Sequence, residues 1–218
     1  MTLSAVHQAY LDELYSFASQ DSLKEQLLAA KATFFAGSGA VLEDDRAFDQ
    51  RMAMMLDYFL FDRMLDGTGR TPAQHYALQQ SAVRPALDRQ RLKALAKTTH
   101  SLFEMRKFLG EGVRLRNLFT GKDVDVFERR KLAGLNKGDI FDARLLPFDD
   151  KILFSQAFCF HPSAARANIL KEIKHRKSQD PNAPATPFLW ALCKMALKVE
   201  RYRNIAVENI YRFDGAGV

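Results

Sequence analysis

Residues 101–127 read SLFEMRKFLGEGVRLRNLFTGKDVDVF, and their apolar residues recur with a period of two. That period is the signature of a strand with one face buried. Within it, Val113 and Leu115 fall on one face, and Arg114 and Arg116 on the other. Thr120-Gly121-Lys122 predicts a tight hairpin into DVDVFERR, where Val124 and Val126 alternate with Asp123 and Asp125. Gly138-Asp139 then opens IFDARLLPF, and Asp149-Asp150 turns the chain into KILFSQAFCF. Five short strands joined by short turns predict a small antiparallel five-stranded β-barrel over residues 100–161.

On either side of this region the period changes to that of helices. Leu3, Val6, Tyr10, Leu14 and Phe17 recur at three and four residues. Further helices are expected from Asp21 to about Phe35, from Asp44 or Asp45 to about Phe61, over Pro72–Gln80 and over Pro85–Thr98. The segment DGTGRTP at 66–72 interrupts them. Two glycines after a greasy helix, followed by Thr-Pro, read as stop, turn and start. A phosphate loop follows a strand and carries a Gly-Lys-Ser/Thr ending, and neither condition is met here. After His161 the helical spacing returns over 163–178, and again from an expected Thr186 cap to about Tyr202, with a tail that adds a strand or packs down. The predicted class is therefore α+β: an N-terminal helical part (1–99), the barrel (100–161), and C-terminal helices that pack back on the rest (162–218).

Composition narrows the function classes. The 218 residues are 47% hydrophobic and include 17 Phe, enough for a sizeable core. Net charge is +6, unevenly spread. Residues 1–80 carry six basic against eleven acidic side chains, a net −5, and the remainder carries 26 against 15, a net +11. The two cysteines, Cys159 and Cys193, form no CxxC motif, which argues for free thiols in a reducing compartment. The N-terminus lacks the charged and apolar regions of a signal peptide, and no uncharged apolar run reaches the ~20 residues of a membrane helix. The expectation is a cytoplasmic protein with no membrane partner.

FLFDR before an Asp-Gly turn and Thr-Pro, followed by HSLFE…GVRLRNLFTGKDVDVFER…KGDIFDARLLP, resembles a group of uncharacterised bacterial cytoplasmic proteins. The resemblance covers roughly residues 50–160 and implies a helical N-terminal part followed by a small β-region. Some members end in a cysteine-rich zinc segment of the SEC-C type, which this chain lacks. No activity follows from the resemblance.

Chemistry is sparse. None of His7, His75, His100, His161 and His175 lies four residues from another or in an HExxH setting, so no metal and no cofactor is expected. His100 and His161 flank the β-region, where they can meet in space. Cys159 sits between two phenylalanines, a setting that raises a thiol pKa. The acidic run Glu43-Asp44-Asp45-Asp49 suits a helix N-terminus. With no visible nucleophile–base pair, the sequence leans away from an enzyme, although a site assembled from scattered residues stays open.

Basic residues remain. Arg114, Arg116, Arg129, Arg130 and Lys137 lie in the β-region, and Arg166, Lys171, Lys174, Arg176 and Lys177 lie in the helix that follows. Phe127 alternates onto the face opposite Val124 and Val126, where it would serve as a stacking platform. These eleven residues predict a non-catalytic binding module for the RNA or DNA backbone. The alternative is a protein partner or homodimer received by the Met- and Phe-rich helix at 48–61 and the apolar helix at 188–199.

Overall fold

The computed structural model describes residues 2–128 and 134–213. Eight α-helices and five strands occur there: α1 (Leu3–Ala18), α2 (Lys24–Ser38), α3 (Phe48–Phe61), α4 (Pro72–Gln79), α5 (Ala86–Leu95), β1 (Thr99–Leu109), β2 (Gly112–Asn117), β3 (Asp123–Phe127), β4 (Ile140–Phe148), β5 (Lys151–His161), α6 (Arg166–Gln179), α7 (Ala185–Arg201) and α8 (Val207–Ile210). The DGTGRTP corner forms as expected. Gly67 and Gly69 take positive φ of 72° and 61°, and Thr71 makes a reciprocal capping box with Gln74 at the start of α4. At α7 the expectation fails by two residues, because Pro184 is the cap, the helix starts at Ala185 and Thr186 lies inside it. The tail forms the short α8 and then buries Tyr211 completely.

The strands form one antiparallel sheet in the order β3-β2-β1-β4-β5. The expected barrel does not form. β3 comes into contact with β5, but no ladder joins them, and the sheet stays open. The reason lies in β4, where eight of nine residues are buried. A small barrel hides only its inner face, whereas this strand is covered on both. One face, inside the curl of the sheet, packs Phe103, Met105, Val113, Leu115, Val126, Phe141 and Phe154 together. The other lies under helices. Leu146, Phe148 and Leu153 join α1, α4 and α5 in one core, and Leu102 and Ile140 join α6, α7 and Tyr211 in another.

The two apolar helices singled out as partner surfaces are used within the chain. Met54, Met55, Phe59, Leu60 and Phe61 of α3 are buried, as are Phe188, Leu189, Leu192 and Cys193 of α7.

Candidate anion-binding surface and the buried polar centre

The helix-covered face of the sheet also carries polar residues. Asp142 on β4 is 1% exposed, and its Oδ1 lies 2.6 Å from Nε2 of His100 on β1. Its Oδ2 is 3.7 Å from the Cys193 sulfur on α7, with the thiol as donor. Cys159 is paired with Asp142 in the β4–β5 register, and both cysteines are free. His161, at the end of β5, faces Tyr211, with Nδ1 3.0 Å from the hydroxyl. Burial holds His161 down to about 4, with Asp142 opposing.

This arrangement is ill suited to nucleophilic catalysis. The Cys193 thiol is hydrogen-bonded to the Asp142 carboxylate, whose charge opposes thiolate formation, and not to the imidazole that commonly activates a cysteine. The Cys159 contact, burial and the Asp142 charge all push the Cys193 thiol well above its ordinary range. Among the described residues, no group of three His, Cys, Asp or Glu side chains is placed to hold a metal. The centre reads as a hydrogen-bonded junction between sheet and helices.

The predicted basic residues divide sharply. Arg114 forms a bidentate pair with Asp125, both contacts 2.6 Å, and Arg116 pairs with Asp123 at 2.8 Å. Each pairing holds its carboxyl below the ordinary range. Arg166 donates to Glu104 at 2.7 Å and to the Gly138 carbonyl at 2.8 Å. Arg176 pairs with Glu172 at 2.7 Å and lies 4.5 Å over the Phe188 ring. Lys177 donates to the Leu118 carbonyl at 2.9 Å. Phe127 is half-buried against the α1/α4/α5 core, with the Lys151 ammonium 5.9 Å from its ring centre. Arg129 and Arg130 lie outside the described residues. Lys137, Lys171 and Lys174 are exposed, with no carboxylate partner among the described residues.

Sequence reading missed a second row. Trp190, Lys194 and Lys198 recur every four residues along α7, opposite its buried stripe. With Asn209 and Arg212 of the C-terminal segment they line a cavity of about 370 Å³ in which no carboxylate appears. Arg212 also borders a neighbouring cavity of about 470 Å³, lined by Lys171 and His175 together with Glu172 and Glu208. The two cavities share Arg212 of the C-terminal segment, with Lys171 of α6 lining one and Lys194 and Lys198 of α7 the other. The spacing was legible in the sequence. It was hidden by the stronger apolar stripe on the same helix.

Residues 20–188 match a family of unknown function, DUF7986. The chain belongs to that family. The match is wider than the 50–160 span of the sequence resemblance and takes in the whole sheet and Asp142, stopping just short of Trp190. No significant similarity to a curated protein or to a solved structure was found. Among the described residues, no helix is long and apolar enough to cross a membrane.

Proposed function

We propose that the protein is a non-catalytic binding protein for nucleic acid, holding the phosphate backbone on the surface made by α6, α7 and the C-terminal segment. The observation that carries this reading is the Trp190–Lys194–Lys198 row, facing a cavity without carboxylates. No carboxylate lines the cavity beside these lysines, whereas the arginines of β2 are paired with Asp123 and Asp125. Trp190 is half-buried, packed against Gly37 of α2 and in T-shaped contact with Phe34 and Tyr58, and the part of its indole that lines the cavity is the surface offered to a base. The free thiols support a reducing, cytoplasmic setting.

Fluorescence anisotropy with random-sequence RNA and DNA tests this reading. Micromolar or tighter binding is expected at low salt. Neutralising about three phosphates gives a slope of about −2 in log affinity against log salt for single strands. Lys194→Glu/Lys198→Glu should weaken binding at least tenfold while leaving the circular dichroism spectrum unchanged, and Arg114→Ala should leave affinity intact. Absence of binding at low salt, or an affinity indifferent to the double reversal, overturns the proposal.

A further inference from the structure

α5 presents a second set of cations, none of which lines the α6/α7 cavities. Arg89 and Lys93 on the helix and Lys97 just beyond it recur at four-residue intervals, so they stack in one row. At a rise of about 1.5 Å per residue, the row is about 12 Å long. Together with Gln90 and with Pro147 of β4, it lines an open groove of about 510 Å³ that no carboxylate enters. The acids near α5 are engaged elsewhere. Asp88 takes the Tyr10 hydroxyl at 2.7 Å and the Arg84 guanidinium at 4.0 Å, and Asp149 is held by a bidentate contact from Arg91. Arg89 is steadied by the Arg84 carbonyl at 3.2 Å, which fixes its guanidinium without cancelling its charge. Lys93 and Lys97 are exposed and have no carboxylate partner among the described residues. A polar amide, an immobilised guanidinium and two free ammonium groups along one open groove suit an extended chain of phosphates better than a compact anion.

We propose that this groove is a second phosphate-backbone site, so that one nucleic-acid strand is held at both ends of the helical layer. The inference rests on the nucleic-acid reading above for its ligand. Its geometry comes from β4. α5 packs against the Leu146–Phe148 end of that strand, and α6 against Ile140 at the other. The seven steps from Ile140 to Pro147 span about 24 Å at about 3.4 Å per residue. A stacked strand advances about 3.4 Å per nucleotide, so about seven nucleotides match the length of β4 that lies between the helices carrying the two sites. A strand shorter than this occupies one site, and a longer one gains from both through its raised effective concentration at the second.

The experiment compares labelled single strands of about six and about 24 nucleotides, each against the parent protein and charge variants at low salt. Lys93→Glu/Lys97→Glu should weaken the long strand at least tenfold and change the short one less than threefold. Lys24→Glu/Lys31→Glu, exposed on α2, carries the same change in net charge and should have little effect on either strand. The longer strand offers more registers, but that advantage is common to parent and variant. Lys93→Gln/Lys97→Gln repeats the comparison without introducing acids, and circular dichroism confirms that each variant is folded. If the α5 reversal affects the long strand no more than the α2 control does, the second site is overturned and the first stands. If long-strand binding depends on Lys93 and Lys97 but neither strand responds to Lys194→Glu/Lys198→Glu, the α6/α7 reading falls and the α5 site stands. Absence of binding by both strands overturns both.

Discussion

Arg144 of β4 and Asp57 of α3 face each other across the boundary between sheet and helices, Nε to Oδ2 at 3.7 Å, and both are almost wholly buried. The same guanidinium pairs with Asp62 at the end of α3, donates to Thr98 at 2.6 Å, and lies 5.2 Å over the Phe61 ring. One β4 side chain thus ties the C-terminal half of α3 to the sheet. Burial pushes the Asp57 carboxyl up, and Arg144 opposes that shift.

Removing Arg144 while keeping its volume should therefore be costly. Arg144→Met leaves Asp57 buried without its counter-ion and is expected to destabilise the fold by about 3–5 kcal/mol in urea denaturation. Adding Asp57→Asn should recover part of the loss, since no buried charge is then left alone. A single-mutant loss under about 1 kcal/mol would show that the pair is structurally idle.

How much of this was readable in advance depended on the range of the interaction. All five strands were legible from the alternation and from Gly121, Gly138 and Asp149-Asp150, because turns and strand faces are local properties. The open sheet was not, since it depends on what covers the second face of β4, and the helices that cover it come from both ends of the chain. The neutralisation of Arg114 and Arg116 was hidden for a related reason. Each arginine lies several residues from its carboxylate along the chain, and only the hairpin register sets Arg114 opposite Asp125 and Arg116 opposite Asp123. The buried arginines defeated composition altogether, because nothing local distinguishes Arg144 from a surface cation.

Acid should destabilise the fold through His161. Its folded pKa, about 4, lies below the ordinary imidazole value of 6.5, so between the two the unfolded chain binds the extra proton. The contribution is complete above pH ~6.5 and falls as pH drops toward ~4, by about 3 kcal/mol in all. Asp57, whose carboxyl is raised, acts with the opposite sign over the acidic part of this range. His161→Gln should flatten the pH dependence of the urea midpoint relative to the parent. Parallel curves for the two proteins would assign the acid sensitivity to other groups.

Gly112 should tolerate no side chain. A Cβ there would lie 2.0 Å from the Val126 carbonyl oxygen and 3.0 Å from the Glu128 amide nitrogen, both backbone atoms that cannot move without unpairing β3. Gly112→Ala is expected to cost about 1–3 kcal/mol or more and to speed hydrogen exchange of the β3 amides. Gly110→Ala is the matched control, because a Cβ at Gly110 meets nothing within 4 Å. Equal stability of the two variants would contradict the close approach of β2 to β3.

The strand order has a kinetic consequence. β1, β2 and β3 form a meander of neighbours, and β4 and β5 form a hairpin, so each unit can assemble from contacts close in sequence. A single ladder, Thr99–Glu104 against Ile140–Leu145, joins them across some 40 residues, and it brings His100 and Asp142 together. Loop closure on that scale is the slow encounter in building this sheet. Substitutions along the β1–β4 seam therefore act mainly on the rate of folding, whereas substitutions on the outer edges of β3 and β5 act mainly on the rate of unfolding.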